Sequence, residues 1–166
     1  MAVARDKLAR QPDAVIRPMT ETDVPSVGAV ERAAYQFPWS EGIFRDCVRV
    51  GYECRVATLE HAVIAYSVMS VGAGESHILN LCVAEDFRGR GIGKRLLSYM
   101  VERAAALGMD EAFLEVRPTN SAAISLYRSL GFEQVGVRRG YYQAAGGRED
   151  AAVFRLGLQA RRPLHS

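Results

Sequence analysis

The segment Arg88-Gly89-Arg90-Gly91-Ile92-Gly93-Lys94 constrains this chain more tightly than any other. It follows an apolar run from Ile78 to Ala84 and opens a helical pattern that continues to about Gly108. Alternating glycines let the backbone bend sharply and let a ligand approach the main chain closely. A helix that starts there points its unpaired N–H groups and the positive end of its dipole into the same space. Arginines and a lysine stand on both sides. The combination predicts a polyanion site, of which a pyrophosphate is the best-fitting class. The plainer reading is a glycine-rich turn carrying basic residues for solubility.

Two familiar phosphate loops fit less well. A Walker A loop needs a Ser or Thr after its Gly-Lys pair, and here Lys94 is followed by Arg95, which gives magnesium no hydroxyl. The dinucleotide fingerprint needs Gly-x-Gly-x-x-Gly, whereas these glycines run Gly-x-Gly-x-Gly. Asp110 and Glu111 do stand where a ribose-binding acid is sought, about 20 residues on, so a nicotinamide-dependent reading is weakened without being removed.

A second motif narrows the choice. Asn120-Ser121-Ala122-Ala123-Ile124-Ser125-Leu126-Tyr127-Arg128-Ser129-Leu130-Gly131-Phe132 reads as a capped helix bearing a tyrosine and ending at Gly-Phe. With Arg88-x-x-Gly91-x-Gly93 after a strand, it resembles the paired signatures of the GNAT superfamily of N-acetyltransferases. Phe37-Pro38-Trp39-Ser40, Leu114-Glu115-Val116-Arg117, Arg138-Arg139-Gly140-Tyr141-Tyr142 and Gly147-Arg148-Glu149-Asp150-Ala151 further resemble the bacterial ribosomal-protein alanine N-acetyltransferases. The similarity spans residues 15 to 157, nearly the whole chain.

Composition sets wider bounds. A chain of 166 residues, 49% hydrophobic and 24% charged, is one globular domain with a full core. A net charge of +2 gives no argument for direct nucleic-acid binding. Cys47, Cys54 and Cys82 form no Cys-x-x-Cys pair and read as free thiols in a reducing cytosol. His61, His77 and His165 are scattered, so no metal is expected. Residues 1 to 13 lack an apolar signal-peptide core, and the apolar stretch Ala62 to Ala73 is too short to span a bilayer. A cytoplasmic protein with no membrane partner is expected. Frayed ends are expected before about Ala14 and after about Gln159, with Arg161-Arg162-Pro163 a solvated tail.

Periodicity gives a short strand at Val15 to Pro18, then a helix capped by Thr20 with Asp23 three residues on and Pro25 near its first turn. That helix carries Val24, Val27, Val30 and Ala34 on one face. Ser40 caps a second helix bearing Ile43, Phe44, Cys47 and Val48. Strands follow near 53–59, 62–71 and 76–84. A third helix buries Ile92, Leu96, Leu97, Met100, Val101 and Ala104 and ends at Gly108. A strand at 111–117, a helix at 121–130 and strands near 132–142 and 150–157 complete the chain. The strands flanking the third helix must run parallel, because a helical crossover joins them. The others are antiparallel, which predicts a mixed α/β sheet with helices on both faces. The resemblance adds the GNAT fold, in which that parallel pair splays and the cofactor's pantetheine arm lies in the gap.

Acetyl transfer to an amine needs a neutral amine, a polarised thioester, alignment of the two and a proton for the departing thiolate. A free α-amino group of pKa about 8 is roughly one-tenth neutral at pH 7, whereas a lysine near 10.4 is neutral in about one molecule in 2,500. An α-amine therefore asks little of a base. Glu115 lies on a strand face with Phe113 and Arg117, opposite Leu114 and Val116. From periodicity alone it reads as a solvated carboxylate paired with Arg117. The resemblance instead implies that Glu115 is the general base and Tyr127 the general acid. Without the resemblance, Tyr127 is an ordinary core tyrosine beside Ile124, Leu126 and Leu130, and Asn120 a plain N-cap.

By resemblance the acetyl-CoA site comprises Leu81, Cys82 and Val83 of the preceding strand, Arg88, Gly89, Arg90, Gly91, Ile92, Gly93 and Lys94 of the loop, and Asn120 and Tyr127. Cys82 has no activating histidine in view and is not read as a nucleophile. Phe37, Trp39, Arg138, Tyr141 and Tyr142 are the expected walls of a peptide cleft, against a plainer reading as packing and surface charge. The function expected is acetyl-CoA-dependent N-α-acetylation of a protein N-terminus, the resemblance implying the N-terminal alanine of a small-subunit ribosomal protein. The alternatives are acetylation of a lysine or small amine on the same fold, and a non-catalytic acyl-CoA-binding module.

Overall fold

The computed structural model describes residues 13–161; the expectations for the first 12 residues and for the chain after Arg161 lie outside them. The strands are β1 (Val15–Pro18), β2 (Glu53–Leu59), β3 (Ala62–Gly72), β4 (Glu75–Val83), β5 (Glu111–Val116), β6 (Glu133–Ala144) and β7 (Gly147–Gly157). The α-helices are α1 (Val24–Ala34), α2 (Glu41–Val50), α3 (Ile92–Ala106) and α4 (Ser121–Ser129). The strands form one sheet in the order β1-β2-β3-β4-β5-β7-β6. Among the described residues only β4 and β5 pair in parallel, as the α3 crossover requires.

Local signals account for most boundaries. The Asp23 carboxylate accepts from the Thr20 backbone N–H at 2.8 Å, and Pro25 stands in the first turn of α1. The segment Glu21–Asp23 is a 3-10 turn, so α1 itself begins at Val24. Ser40 caps α2 by accepting from Ile43 N–H at 3.3 Å. Gly108, with φ of 83°, follows α3 in the left-handed region that glycine tolerates. Ile43 is 43% exposed, because α2 buries only the Phe44–Cys47 side of its surface. Gln159–Arg161 forms a 3-10 turn, and Arg161 donates to the Leu130 carbonyl at 3.3 Å.

Two apolar layers sandwich the sheet. Val24, Val27 and Phe44 of α1 and α2 pack on Val56, Tyr66 and Val68. Leu97, Met100 and Val101 of α3 pack on Ile78, Leu114 and Phe154. Each such fully buried side chain contributes about 1.5–3 kcal/mol. Pairing between β4 and β5 runs from Glu75–Glu111 to Ile78–Leu114, and no paired positions follow. Beyond that point the two strands part, and the parting positions the site.

Candidate active site

A cleft of about 440 Å³ opens where β4 and β5 separate. Leu79, Asn80 and Leu81 form one wall, Glu115, Val116 and Arg117 the other, and Asn120 and Tyr127 of the α4 segment join them. Tyr35, Phe37 and Trp39, from the turn between α1 and α2, stand at one side, and Tyr142, Gln143 and Glu149 of the β6–β7 hairpin at another. Aromatic rings thus surround a cleft that also holds three carboxylates, Glu31, Glu115 and Glu149.

Glu115 lies where alternation puts it: Ala112, Leu114 and Val116 are buried, while Glu115 points to the opposite face. Its partners are not the expected one. Arg117 donates to Glu149 at 2.8 Å and to the Gln143 carbonyl at 2.8 Å, so it belongs to the hairpin. The Glu115 carboxylate instead accepts from His77 Nε2 at one oxygen and from Arg138 Nη1 at 3.2 Å at the other. Its side chain is only 7% exposed. Burial alone would raise its pKa, but the bonds to His77 and Arg138 outweigh that and hold the carboxyl below its ordinary range.

Tyr127 is both packed and cleft-facing. Its ring packs 6.1 Å from Phe132 and 6.3 Å from Phe154, and it also lines the cleft. Burial pushes its phenol up to about 12, so it stays protonated through the neutral range. Asn120 caps α4 by accepting from Ala123 N–H at 3.1 Å, which uses its carbonyl oxygen. Its NH₂ group offers a ligand two donors besides.

The glycine loop runs into the N-terminus of α3. Gly89 and Gly91 have φ of 76° and 80°, and a Cβ built on either meets no protein atom within 4 Å. Both glycines are thus required by backbone conformation, and the space above them is open. Gly93 is different, since a Cβ there would sit 3.5 Å from Leu126 and Val83. Arg88 turns back to donate to the Val83 carbonyl at 3.1 Å, and Arg90 stacks 5.2 Å from the Phe87 ring. Ile92 starts α3 and packs on the layer holding Leu96, with Lys94 in the helix's first turn. Leu81 reaches the cleft, while Cys82 is buried, and burial pushes its thiol up, which suits an inert packing role.

The peptide-wall residues divide. Phe37, Trp39 and Tyr142 line the cleft. Arg138 and Tyr141 do not, but they brace it: the Arg138 guanidinium sits 4.7 Å from the Tyr141 ring, and Tyr141 meets Tyr142 edge-on at 4.8 Å.

The family model for "Acetyltransferase (GNAT) family" matches residues 24–132, from the start of α1 through Phe132. This chain belongs to the GNAT acetyltransferase family. The GNAT match covers the loop, Glu115 and Tyr127, and stops short of β6 and β7. A "[Ribosomal protein bS18]-alanine N-acetyltransferase" of Salmonella typhimurium is 36% identical over 140 residues, 84% of this chain and 95% of that protein. Its counterpart in Escherichia coli K12 is 35% identical over 86% of this chain and 97% of that protein. Among solved GNAT structures, the Escherichia coli ribosomal-protein-S18-alanine N-acetyltransferase superposes with a TM-score of 0.82 at 32% identity, covering 92% of this chain and 97% of that one. A Sinorhizobium meliloti phosphinothricin acetyltransferase in complex with acetyl-CoA matches with a TM-score of 0.76 at 26% identity over 93% and 95% of the two chains.

Two cleft groups, Glu31 and Asn80, and one group behind the cleft wall, His77, are not marked by the sequence motifs. Glu31 is 2% exposed and accepts from Tyr66, from Asn80 at 3.1 and 3.2 Å, and from the Trp39 N–H at 3.3 Å. It ties the aromatic turn to β4. Its spacing from Val24 and Val27 at seven and four residues, an acid on an apolar helix face, was the available signal. Asn80 carried no such mark. His77 gave none either, because its contact depends on the register between β4 and β5.

Proposed function

We propose that this GNAT enzyme transfers the acetyl group of acetyl-CoA to the α-amine of a protein N-terminus, the N-terminal alanine of ribosomal protein bS18. The observation that carries the reading is the placement of Glu115 and Tyr127 on one cleft at the parting of β4 and β5, with aromatic residues around it. Similarity over more than four-fifths of the chain to enzymes named for that substrate supports the choice of acceptor.

The residues present fit acetyl-CoA. The open space above Gly89 and Gly91, at the N-terminus of a 15-residue helix, suits the pyrophosphate, which the first N–H groups of α3 would hold. Arg88, Arg90 and Lys94 would add positive charge. Leu81, Cys82 and Val83 would offer backbone groups to the pantetheine arm, and Asn120 its amide. When bound, acetyl-CoA supplies a thioester as the electrophile.

The chain's own residues then do three things. Phe37, Trp39 and Tyr142 would enclose the first residues of the peptide and exclude water, which aligns amine and thioester. Glu115, ionised and held from two sides, would take the proton that the α-ammonium must lose, directly or through one water. Tyr127, protonated at neutral pH, would donate from its hydroxyl to the departing sulfur. One proton is released per turnover from an acceptor that arrives as an ammonium.

Mass spectrometry of an alanine-initiated peptide containing an internal lysine, incubated with the enzyme and acetyl-CoA, tests the reading. The acetyl group should sit on the terminal nitrogen. Acetylation of the lysine side chain alone would transfer the assignment to the lysine-modifying class.

A further inference from the structure

By sequence His77 is one of three scattered histidines, and the mechanism above does not use it. Its position is particular. His77 pairs with Phe113 in the parallel β4–β5 register, and Ile78–Leu114 is the last pair before the strands part. Glu115 is two residues beyond Phe113, on the same face, so the imidazole and the carboxylate meet diagonally across the end of the ladder. A carboxylate is an acceptor only, so Nε2 carries the hydrogen of this bond. His77 does not line the cleft, whereas Glu115 does. The imidazole therefore backs the carboxylate from outside the cavity, with its side chain 31% exposed.

We infer that His77 is a positioning residue for acetyl transfer: by donating from Nε2 it locks the Glu115 carboxylate on the cleft wall in its ionised form. The inference rests on the proposed role of Glu115 as base. A carboxylate 7% exposed, on a strand whose neighbour is peeling away, loses hydration and has no backbone partner strand to steady it on that side. Charge-assisted bonds from fixed donors replace the lost water and fix the rotamer. Arg138 is the second donor, but it is 57% exposed and comes from the edge strand β6, so it is the less fixed of the two. His77 is rooted in the central strand β4.

Arg138, Tyr141 and Tyr142 from β6 are charged and titratable groups that act on Glu115 or feel its charge. Of the two donors, His77 contributes more to holding the Glu115 carboxyl low, against the opposing effect of burial. Removing it should raise the Glu115 carboxyl. The acid limb of kcat would then move to higher pH, because Glu115 would protonate earlier on the way down.

The test compares full-length wild type, His77→Gln, His77→Asn, His77→Leu and Glu115→Gln at saturating acetyl-CoA and peptide. Glutamine places an amide N–H close to where Nε2 stands, whereas asparagine is one methylene too short. His77→Leu and His77→Asn should lose on the order of 10- to 10²-fold in kcat, as displaced catalytic groups do. KM for acetyl-CoA should not move, and the acid limb should shift upward. His77→Gln should recover most of the rate and return the limb toward its wild-type position. If the leucine variant fails to fold, the glutamine–asparagine pair decides alone. Equal rates and pH limbs for those two, with Glu115→Gln strongly impaired, overturn the inference and leave Glu115 as base. Wild-type turnover in Glu115→Gln would instead overturn the base assignment itself, and the inference with it.

Discussion

Arg138 on β6 donates to Glu115 on β5 across 3.2 Å, although β7 lies between those two strands in the sheet. The guanidinium therefore reaches over the face of β7 to close one side of the carboxylate. It is steadied on the way by the Tyr141 ring at 4.7 Å, and Tyr141 in turn abuts Tyr142. A chain of contacts thus joins the outermost hairpin to the proposed base. Loss of Arg138 should be felt at the carboxylate before it is felt in the fold, since this ion pair is half in solvent.

Glu115→Gln keeps the size of the side chain and removes the negative charge. General acid–base groups contribute about 10²- to 10⁴-fold, so turnover should fall on that scale. Acetyl-CoA affinity, measured by calorimetry, should barely change, because Glu115 lies on β5 and not in the glycine loop. Unchanged turnover, in an assay where chemistry limits the rate, would make Glu115 a structural carboxylate.

Gly91→Val places a β-branched residue at φ of 80°, which costs about 1–3 kcal/mol of backbone strain. A domain with 5–15 kcal/mol of stability tolerates that and stays folded, at a lower melting temperature. The added carbon projects into open space, where no protein atom stands within 4 Å, and it should obstruct a pyrophosphate there. Calorimetry should show tight acetyl-CoA binding by the wild type and little by the variant. NAD should not bind either; binding as tight as acetyl-CoA would overturn the cofactor assignment.

Asp23 offers a test of stability apart from catalysis. Its bidentate pair with Arg17, both contacts at 2.7 Å, with the opposing effect of burial and a further bond from Thr20, holds the carboxyl at about 2. That lies below the ordinary value of 3.8. A depressed acid stabilises the fold above its unfolded-state pKa, and the stabilisation is lost as pH falls toward the folded value. Wild type should therefore exceed Asp23→Asn in denaturant midpoint at neutral pH. The gap should close between about pH 4 and pH 2. A gap that persists at pH 2 would assign the loss to the asparagine's shape.

Much of this was legible in the chain, and the reason differs by element. The parallel pair followed from the crossover helix, and the glycine loop from three glycines whose spacing only a tight turn into a helix explains. Glu115 could be placed on its face by alternation alone, yet its partners could not. Arg117 was the near choice in sequence, two residues away, but it is drawn to Glu149 by the β6–β7 hairpin. The actual partners are fixed by register and strand order. His77 depends on where the β4–β5 ladder stops, and Arg138 on β7 inserting between β5 and β6, against their order in the chain. Local patterns do not encode either. Ile43 shows the converse, an apolar residue at helical spacing that α2 leaves 43% exposed.

Tyr127→Phe deletes one oxygen and keeps the ring that packs on Phe132 and Phe154. The melting temperature should therefore hold, and acetyl-CoA should bind nearly as well. If the hydroxyl protonates the departing sulfur, turnover should fall by about 10²-fold or more. Burial already pushes the phenol up to about 12, so the group is a weak acid whose proton moves only as charge builds on the thiolate. A thioester with a more acidic leaving thiol needs less of that help. The variant should accordingly recover part of its loss with such a substrate, while the wild type gains little. Wild-type rates for the phenylalanine variant with acetyl-CoA would reduce Tyr127 to packing and hand the proton to water or to the attacking ammonium.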